Sequence, residues 1–266
     1  MEGRGTRIAL RLWAIGVMAF VYIPLAVIVM ASFDTSRITS WPIQDYSTKW
    51  YHLAFHDQRM RDALWNSVTV GLRATVIALV LGSAVAFALH RFRFFGRDAV
   101  SFLLVLPIAL PGIITGLSLL STISYLGITP SLWTVIVGHA TFCIVVVFNN
   151  AVARLRRSGT SLEEASMDLG ANTWRTFRFV TFPTLRTALV AGALLAFALS
   201  LDEIIVTTFT IGQEQTLPIW IFTNYARPNQ LPIVNVVATF VVLVSILPVW
   251  AAQKLTGEAP GLAGGR

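Results

Sequence analysis

The sequence predicts an all-α membrane protein that crosses the bilayer six times. Hydrophobic residues make up 55% of the 266 residues and charged residues only 12%, which is far from the composition of a soluble domain. Six apolar runs are also long enough to cross about 30 Å of hydrocarbon. Because backbone polar groups cannot stay unpaired in lipid, each run is expected to be a helix.

The six predicted spans form a single transmembrane domain over residues 1–266. They lie at residues 12–32, 63–89, 99–122, 131–153, 187–209 and 233–253. The first run is too long for the core of a signal peptide and lacks a clear small-x-small cleavage site, so we interpret it as a retained helix.

The third and fourth spans form a hairpin, because residues 99–153 contain no charged side chain and a Gly127-Ile128-Thr129-Pro130 turn divides them. The third span contains Pro107, Pro111, Gly112 and Gly116. Such clustering breaks helical hydrogen bonds and lets backbones approach closely. Two interpretations stay open here, a flexing or pathway-lining element and a static kink.

Basic residues cluster in alternate connections between the spans. Arginines lie before the first span, between the second and third, and between the fourth and fifth, at Arg4, Arg7, Arg11, Arg91, Arg93, Arg97, Arg154, Arg156, Arg157, Arg175, Arg178 and Arg186. The positive-inside rule then places both termini and residues 154–186 in the cytoplasm. We interpret the net charge of +7 as a topology signal and not as a nucleic-acid site.

The connection between the fourth and fifth spans predicts two short helices. Ser161 and Glu164 have the spacing of a capping box, so a helix should begin near Leu162. Gly170 should end it, and Asn172 should cap a second helix that runs to Phe179. Pro183 should then restart the chain toward the membrane. On the first helix, a weakly apolar face should contain Leu162, Ala165, Ser166 and Leu169, with Glu163, Glu164 and Asp168 pointing elsewhere.

Three ionisable residues lie inside predicted spans, and each is costly in a bilayer. They are Arg73 in the second span and Asp202 and Glu203 in the outer half of the fifth. In a continuous helix, Asp202 and Glu203 would point about 100° apart. One acid could line a solute path while the other pairs with Arg73; the alternative is a purely structural ion pair.

Several chemistries are excluded or unsupported by the residues. Lys49 and Lys254 do not follow glycine, so the chain has no Walker A loop. Its one cysteine, Cys143, rules out an internal disulfide and is expected to be an apolar packing residue. His52 and His56 share a helix face but have no further ligand nearby, so no metal site is predicted. No catalytic constellation is recognisable, and we expect a non-catalytic chain.

The polar connection resembles the cytoplasmic signature of permease subunits of bacterial ABC importers, E-A-A, three residues, G, nine residues, I-x-L-P. The matching residues are Glu164-Ala165-Ser166, Gly170 and Val180-Thr181-Phe182-Pro183. Further stretches look like the permeases of spermidine/putrescine importers. They are Tyr22-Ile23-Pro24, Ser47-Thr48-Lys49-Trp50-Tyr51, His139-Ala140-Thr141-Phe142-Cys143 and Leu199-Ser200-Leu201-Asp202-Glu203.

This resemblance implies the type I ABC importer permease fold in the bacterial inner membrane. It implies a second permease, a cytoplasmic ATPase dimer that binds ATP and Mg²⁺, and an extracytoplasmic solute-binding protein; the chain itself would bind no cofactor. ATPase coupling is expected at Glu163, Glu164, Ala165, Asp168, Gly170 and Pro183. The candidate pathway residues are Asp202, Glu203, Phe209, Trp220 and Tyr225, acids and aromatics that suit an amine cation.

Two long outer connections suit contact with a solute receptor, although interfacial anchoring explains their aromatic residues nearly as well. Residues 33–62 contain Trp41, Tyr46, Trp50 and Tyr51, and residues 210–231 contain Glu214, Trp220, Tyr225 and Arg227. Two alternatives to a polyamine permease stay open. One is an ABC permease for another small solute such as an amino-acid derivative, and the other is a self-contained secondary transporter, which would use the acids in the spans to couple ions.

Overall fold

The computed structural model describes residues 4–37, 42–159 and 161–256, without the side chains of Arg4 and residues 247–256. Trp41 therefore lies outside the described residues, as do the side chains of Arg4 and Lys254. Within these ranges the chain is helical, and its one β-type pairing is an isolated bridge between Asp34 and Tyr46. The prediction of an all-α protein is confirmed.

Twelve α-helices follow one another along the described part of the chain. They are α1 Arg4–Ala31, α2 Lys49–His56, α3 Gln58–Arg91, α4 Arg97–Ala109, α5 Gly112–Tyr125, α6 Leu132–Ser158, α7 Ser161–Asp168, α8 Thr173–Thr176, α9 Phe182–Asp202, α10 Ile205–Thr210, α11 Leu217–Tyr225 and α12 Leu231–Thr256. Five helical segments in these ranges are long and apolar enough to cross a membrane, and a bent pair of helices makes a sixth. This agrees with six predicted spans.

The bent pair is the predicted third span, which is not one continuous helix. Helices α4 and α5 meet at an angle of 105°. Between them, Leu110 has extended backbone angles (φ −81°, ψ 143°) and precedes Pro111. Proline disfavours the helical conformation in the residue before it and has no N–H to donate, which explains why the helix breaks at this point.

The predicted fifth span is also interrupted, and it begins earlier than expected. Helix α9 ends at Asp202, Glu203 is extended (φ −74°, ψ 114°), and α10 begins at Ile205. At the other end, α8 continues into α9 through a π-helical turn, Phe177–Thr181, so the helix is continuous from Thr173 to Asp202. The continuous span predicted over residues 187–209 is therefore wrong at both ends.

The contacts divide the chain into two compact units, residues 1–61 with 220–246 and residues 62–219 with 247–266. In the first unit, the indole Nε1 of Trp50 donates to the carbonyl of Asp34 at 2.7 Å, and the hydroxyls of Ser32 and Tyr51 lie 2.7 Å apart. These bonds hold α2 against the connection that follows α1.

The second unit is built around α6, which is the most buried of the spanning helices described. Two apolar clusters follow α6 and pack it against α3 and α9. The first contains Ala78, Phe142, Cys143, Val147, Ala196 and Val206, and the second Ala86, Leu89, Phe148, Ala151, Leu155 and Leu185. Cys143 is a free, buried residue of the first cluster, as expected from the sequence.

Candidate transport and coupling sites

The first helix of the polar connection, α7, ends at Asp168, and Gly170 follows as the predicted stop. Gly170 has a φ of +85°, a conformation that a side chain disfavours. Two backbone bonds complete a Schellman motif: Gly170 N–H donates to Met167 at 2.9 Å and Ala171 N–H to Ser166 at 3.1 Å. The glycine therefore sets the angle at which the chain leaves α7.

Of the two helix caps predicted in this connection, the structure shows one. The side chain of Asn172 accepts a hydrogen bond from the Arg175 N–H at 2.9 Å, so it caps α8 as predicted. Ser161 is itself the first residue of α7, so it does not stand at the N-cap position that the capping box requires. The residue before it, at position 160, lies outside the described residues.

Pro183 does not restart a broken chain, and the second helix does not end at Phe179. Instead, Pro183 lies in the first turn of α9, directly after the π-helical turn. In that turn the N–H of Phe182 donates to Phe177, five residues earlier. Proline has no backbone N–H, so it cannot donate a helical hydrogen bond. The π-helical turn beside it lets the neighbouring backbone groups stay hydrogen-bonded. The connection is therefore mechanically continuous with α9.

Glu163 faces the protein and ties α7 to its neighbours. One carboxylate oxygen accepts a hydrogen bond from Thr181 Oγ1 at 2.8 Å, and the other lies 3.5 Å from the Arg91 guanidinium at the end of α3. The Glu163 side chain is 15% exposed. Ser166 also faces inward, with its hydroxyl 3.2 Å from that of Thr176.

The predicted apolar face of α7 is wrong because this inner side of the helix is polar. Leu162 is 57% exposed and Leu169 is 91% exposed. Glu164, Ala165 and Asp168 are exposed beside them. The outer side of α7 thus combines leucines with two carboxylates, a composition suited to contact with another protein and not only with water.

The interrupted fifth span places Glu203 at a corner between α9 and α10. The Glu203 carboxylate accepts a hydrogen bond from the Val206 N–H at 2.9 Å, so its side chain caps α10. Asp202, the last residue of α9, is exposed. The two acids therefore differ in role because one is bound to the backbone and the other is accessible.

Arg73 does not pair with either acid. Among the described residues, Arg91 forms an ion pair with Glu163, whereas the Arg73 guanidinium lies 5.0 Å from the ring centre of Trp133. Trp133 is in the first turn of α6, where amphipathic rings typically mark a membrane surface. The helix between Arg73 and Arg91 is about 27 Å long, close to the hydrocarbon thickness. We therefore interpret Arg73 as an interfacial residue, which corrects the expected ion pair.

The three aromatic candidates lie in different surroundings. The half-buried ring of Phe209 packs on Gly116, where an added Cβ would lie 2.5 Å from Phe209 Cδ2. In the first unit, Trp220 is 2% exposed and Tyr225 is 66% exposed. Their roles in a solute pathway stay predictions.

Replacing Gly116 with alanine is expected to destabilise the protein by about 1–3 kcal/mol, the usual cost of overpacking. The added methyl group would collide with the Phe209 ring. Thermal unfolding of the purified protein measures this effect. Gly16→Ala in α1, where no atom lies within 4 Å, is the matched control and should not lower the midpoint, because alanine favours a helix more than glycine does. Adding Phe209→Leu to Gly116→Ala should restore part of the loss; no loss in the single variant would contradict this packing.

His139 is a polar centre that sequence reasoning missed as a site. It is 1% exposed, and its ring nitrogens lie 2.7 Å from Ser200 Oγ and 2.8 Å from Thr207 Oγ1. Ser200 is in α9 and Thr207 in α10, so His139 bridges the break between them. A signal was present, because a histidine in an apolar span must find hydrogen-bonding partners on neighbouring helices.

The two histidines of α2, His52 and His56, lie against each other. His52 and His56 stack with ring centres 4.1 Å apart, and His56 Nδ1 lies 2.7 Å from the His52 carbonyl oxygen. No cluster of three His, Cys, Asp or Glu side chains suited to a metal occurs in the part of the chain that the structure describes.

The six spans and the Gly170-centred connection are the features of an importer permease, and comparison with known proteins agrees. Residues 78–256 match the family of binding-protein-dependent transport system inner membrane components. The chain belongs to this family and is a permease subunit of an ABC importer. The predictions of family, of a non-catalytic permease and of a multi-pass inner-membrane protein are thus confirmed, and the secondary-transporter alternative is wrong.

Two relatives and one solved structure show the extent of the similarity. The chain is 33% identical to the spermidine/putrescine transport system permease protein PotC of Escherichia coli (strain K12), over 91% of each chain. It is 36% identical to the putrescine transport system permease protein PotI of the same organism, over 84% of this chain and 81% of the relative. A chain in the crystal structure of a bacterial ABC transporter involved in the import of the acidic polysaccharide alginate has the same fold, with a TM-score of 0.70. The two chains are 18% identical, and the match covers 98% of this chain and 99% of the other.

Proposed function

We propose that this permease forms, with a second permease subunit, the pathway of an ATP-driven importer for polyamines such as spermidine or putrescine. The observation that carries the proposal is the acidic corner at Asp202 and Glu203, where the fifth span is interrupted and two carboxylates lie side by side in the sequence. An interrupted helix in a span is typical of a substrate site. Both relatives described above are named for polyamines, which supports the same solute class.

The chemistry of the corner favours an amine cation over an anion. A charged carboxylate is costly within a membrane unless it faces water or a partner. Asp202 is exposed and forms no ion pair with another of the described residues. A protonated amine would compensate its charge and form hydrogen bonds that are stronger than those between neutral groups.

The partners follow from the family and the arginine distribution. We propose that both termini and α7 are cytoplasmic, because the connections rich in arginine then lie on the inner side. There, a separate ATPase dimer would bind ATP and Mg²⁺. On the outer side, a solute-binding protein would deliver the polyamine, in keeping with the family's dependence on binding proteins.

The outer side of α7 is the proposed ATPase contact. Its exposed residues are Leu162, Glu164, Ala165, Asp168 and Leu169. ATP binding would move α7, and the continuous helix from Thr173 to Asp202 would carry that movement to the acidic corner. Glu163 would hold α7 on the permease while Glu164 faces the ATPase.

Glu164→Lys is expected to abolish ATP-driven transport while the complex still reaches the membrane. The side chain is exposed, so the substitution leaves the permease fold intact but reverses a charge on the ATPase contact. Transport and the amount of ATPase bound to purified complexes are the measurements. Asp98→Lys, an exposed reversal in α4, is the control and should retain transport; normal uptake by Glu164→Lys would contradict this contact.

Labelled-polyamine uptake in cells tests the proposed solute. Deleting the gene for this chain should remove high-affinity spermidine or putrescine uptake, and the intact gene should restore it. Unchanged polyamine uptake, together with loss of uptake of an amino-acid derivative, would keep the importer and replace its solute.

A further inference from the structure

Helix α6 carries a row of polar side chains along the interrupted fifth span. Thr134 Oγ1 donates to the Thr210 carbonyl at 2.6 Å near one end of the row, and Cys143 Sγ lies 3.4 Å from the Ala196 carbonyl at the other. His139 lies between them and contacts both halves of the span. The row therefore spans the break, and His139 is the member that joins α9 directly to α10.

The hydrogen bonds determine how the His139 ring is protonated. Thr207 Oγ1 lies 2.6 Å from the Glu203 carbonyl and donates its proton there, so it can only accept from His139. His139 Nε2 must then carry the hydrogen, and Nδ1 of the neutral ring accepts from Ser200 Oγ. The result is a directed chain from Ser200 through His139 and Thr207 to the backbone of Glu203.

We propose that His139 is a positioning residue that fixes the Asp202–Glu203 corner for the cation. The break frees the backbone at Glu203, and the Thr207 hydroxyl that His139 orients is the group that binds the Glu203 carbonyl. His139 is 1% exposed and Thr207 fully buried, so water does not replace these bonds. The expected effect on transport rests on the proposed polyamine pathway, whereas the positioning of the corner by His139 does not.

The chain offers a matched pair of variants to test this role. Thr207 and Thr208 are adjacent, and each hydroxyl donates to the carbonyl four residues earlier, at 2.6 Å and 2.7 Å. Only Thr207 also contacts His139, whereas Thr208 is exposed. Thr207→Val and Thr208→Val remove the same group from the same helix and keep the side-chain shape, but only Thr207→Val removes the bonds to His139 and to the Glu203 carbonyl.

The first measurement is independent of solute and uses the assembled complex. The test uses a chain with Asp202→Cys and measures how fast a cationic, water-soluble methanethiosulfonate modifies the new thiol. This rate reports how rigidly the corner is positioned. The native Cys143 is buried, so it does not contribute. Adding Thr207→Val or His139→Phe should raise the rate about fivefold, the effect of losing one hydrogen bond. Thr208→Val should leave it unchanged. Equal rates in all three variants would overturn the positioning role.

The second measurement is the KM and maximal rate of labelled spermidine uptake in the same complexes without the cysteine. Thr207→Val should raise KM about fivefold while the ATPase rate stimulated by the binding protein stays unchanged. His139→Gln, which can still donate to Thr207, should lie between His139→Phe and the wild type. Lower uptake with an unchanged KM would show a merely structural role and overturn the inference. Absence of spermidine uptake by the wild-type complex would refute the proposed solute, and the modification rates would still decide the role of His139.

Discussion

Substituting valine for Gly170 is expected to abolish ATP-driven uptake while the permease still folds and reaches the membrane. Gly170 has a φ of +85°, which costs an L-residue about 1–2 kcal/mol, and more when it is β-branched. The strain would disrupt the Schellman bonds to Met167 and Ser166. Helix α7 would then leave the chain at a different angle and lose its alignment with the ATPase. Uptake and ATPase rates of the assembled complex are the measurements.

Asparagine at the same position provides the control for this prediction. It tolerates the left-handed conformation better than other side chains, so Gly170→Asn should keep a large part of the uptake. No atom would lie within 4 Å of an added Cβ, so a difference between asparagine and valine reports backbone conformation and not a collision. Normal coupling in the valine variant would refute the proposed role of this turn.

Removing the charges of the acidic corner is expected to have the second large effect. Glu203→Gln keeps an oxygen that can accept the Val206 hydrogen bond, so it removes charge without removing the cap. Asp202→Asn removes the charge of the exposed acid and keeps the size of its side chain. Hydrogen bonds to charged groups contribute about 1.5–3 kcal/mol, so each variant should raise the KM for spermidine uptake about 10- to 100-fold.

A neutralised acid elsewhere separates this effect from a change in net charge. Asp98→Asn, at an exposed acid in the first turn of α4, should leave the KM for spermidine unchanged. The ATPase rate without solute should also stay unchanged in all three variants, because none of them is in α7. If both corner variants transported spermidine with the wild-type KM, the corner would not be the cation site.

The number of spans could be predicted because it depends on length and apolar composition alone. Both quantities can be read along the chain without knowledge of contacts. The end of α7 could also be predicted locally, because three residues separate the E-A-S triplet from Gly170, and a glycine at that point is typical of a helix end. The cap at Asn172 followed from its own side chain and the next turn of backbone.

The break in the fifth span and the orientation of α7 could not be predicted because they depend on groups that are distant in sequence. The corner at Glu203 is stabilised by His139 from another span, and no pattern within residues 187–209 reveals that support. Likewise, Glu163 faces inward because Arg91 and Thr181 lie next to it in space. Periodicity alone assigned the inner face of α7 to leucine, because it does not show that the surface below is polar.

The most direct test of the account is ATP-driven uptake of labelled spermidine into liposomes that contain this chain with its partner permease, ATPase and binding protein. We expect uptake that requires both ATP and the binding protein and that falls in the variants at Asp202 and Glu203. ATP turnover stimulated by the binding protein without any polyamine uptake would contradict the proposed solute and its site at the acidic corner.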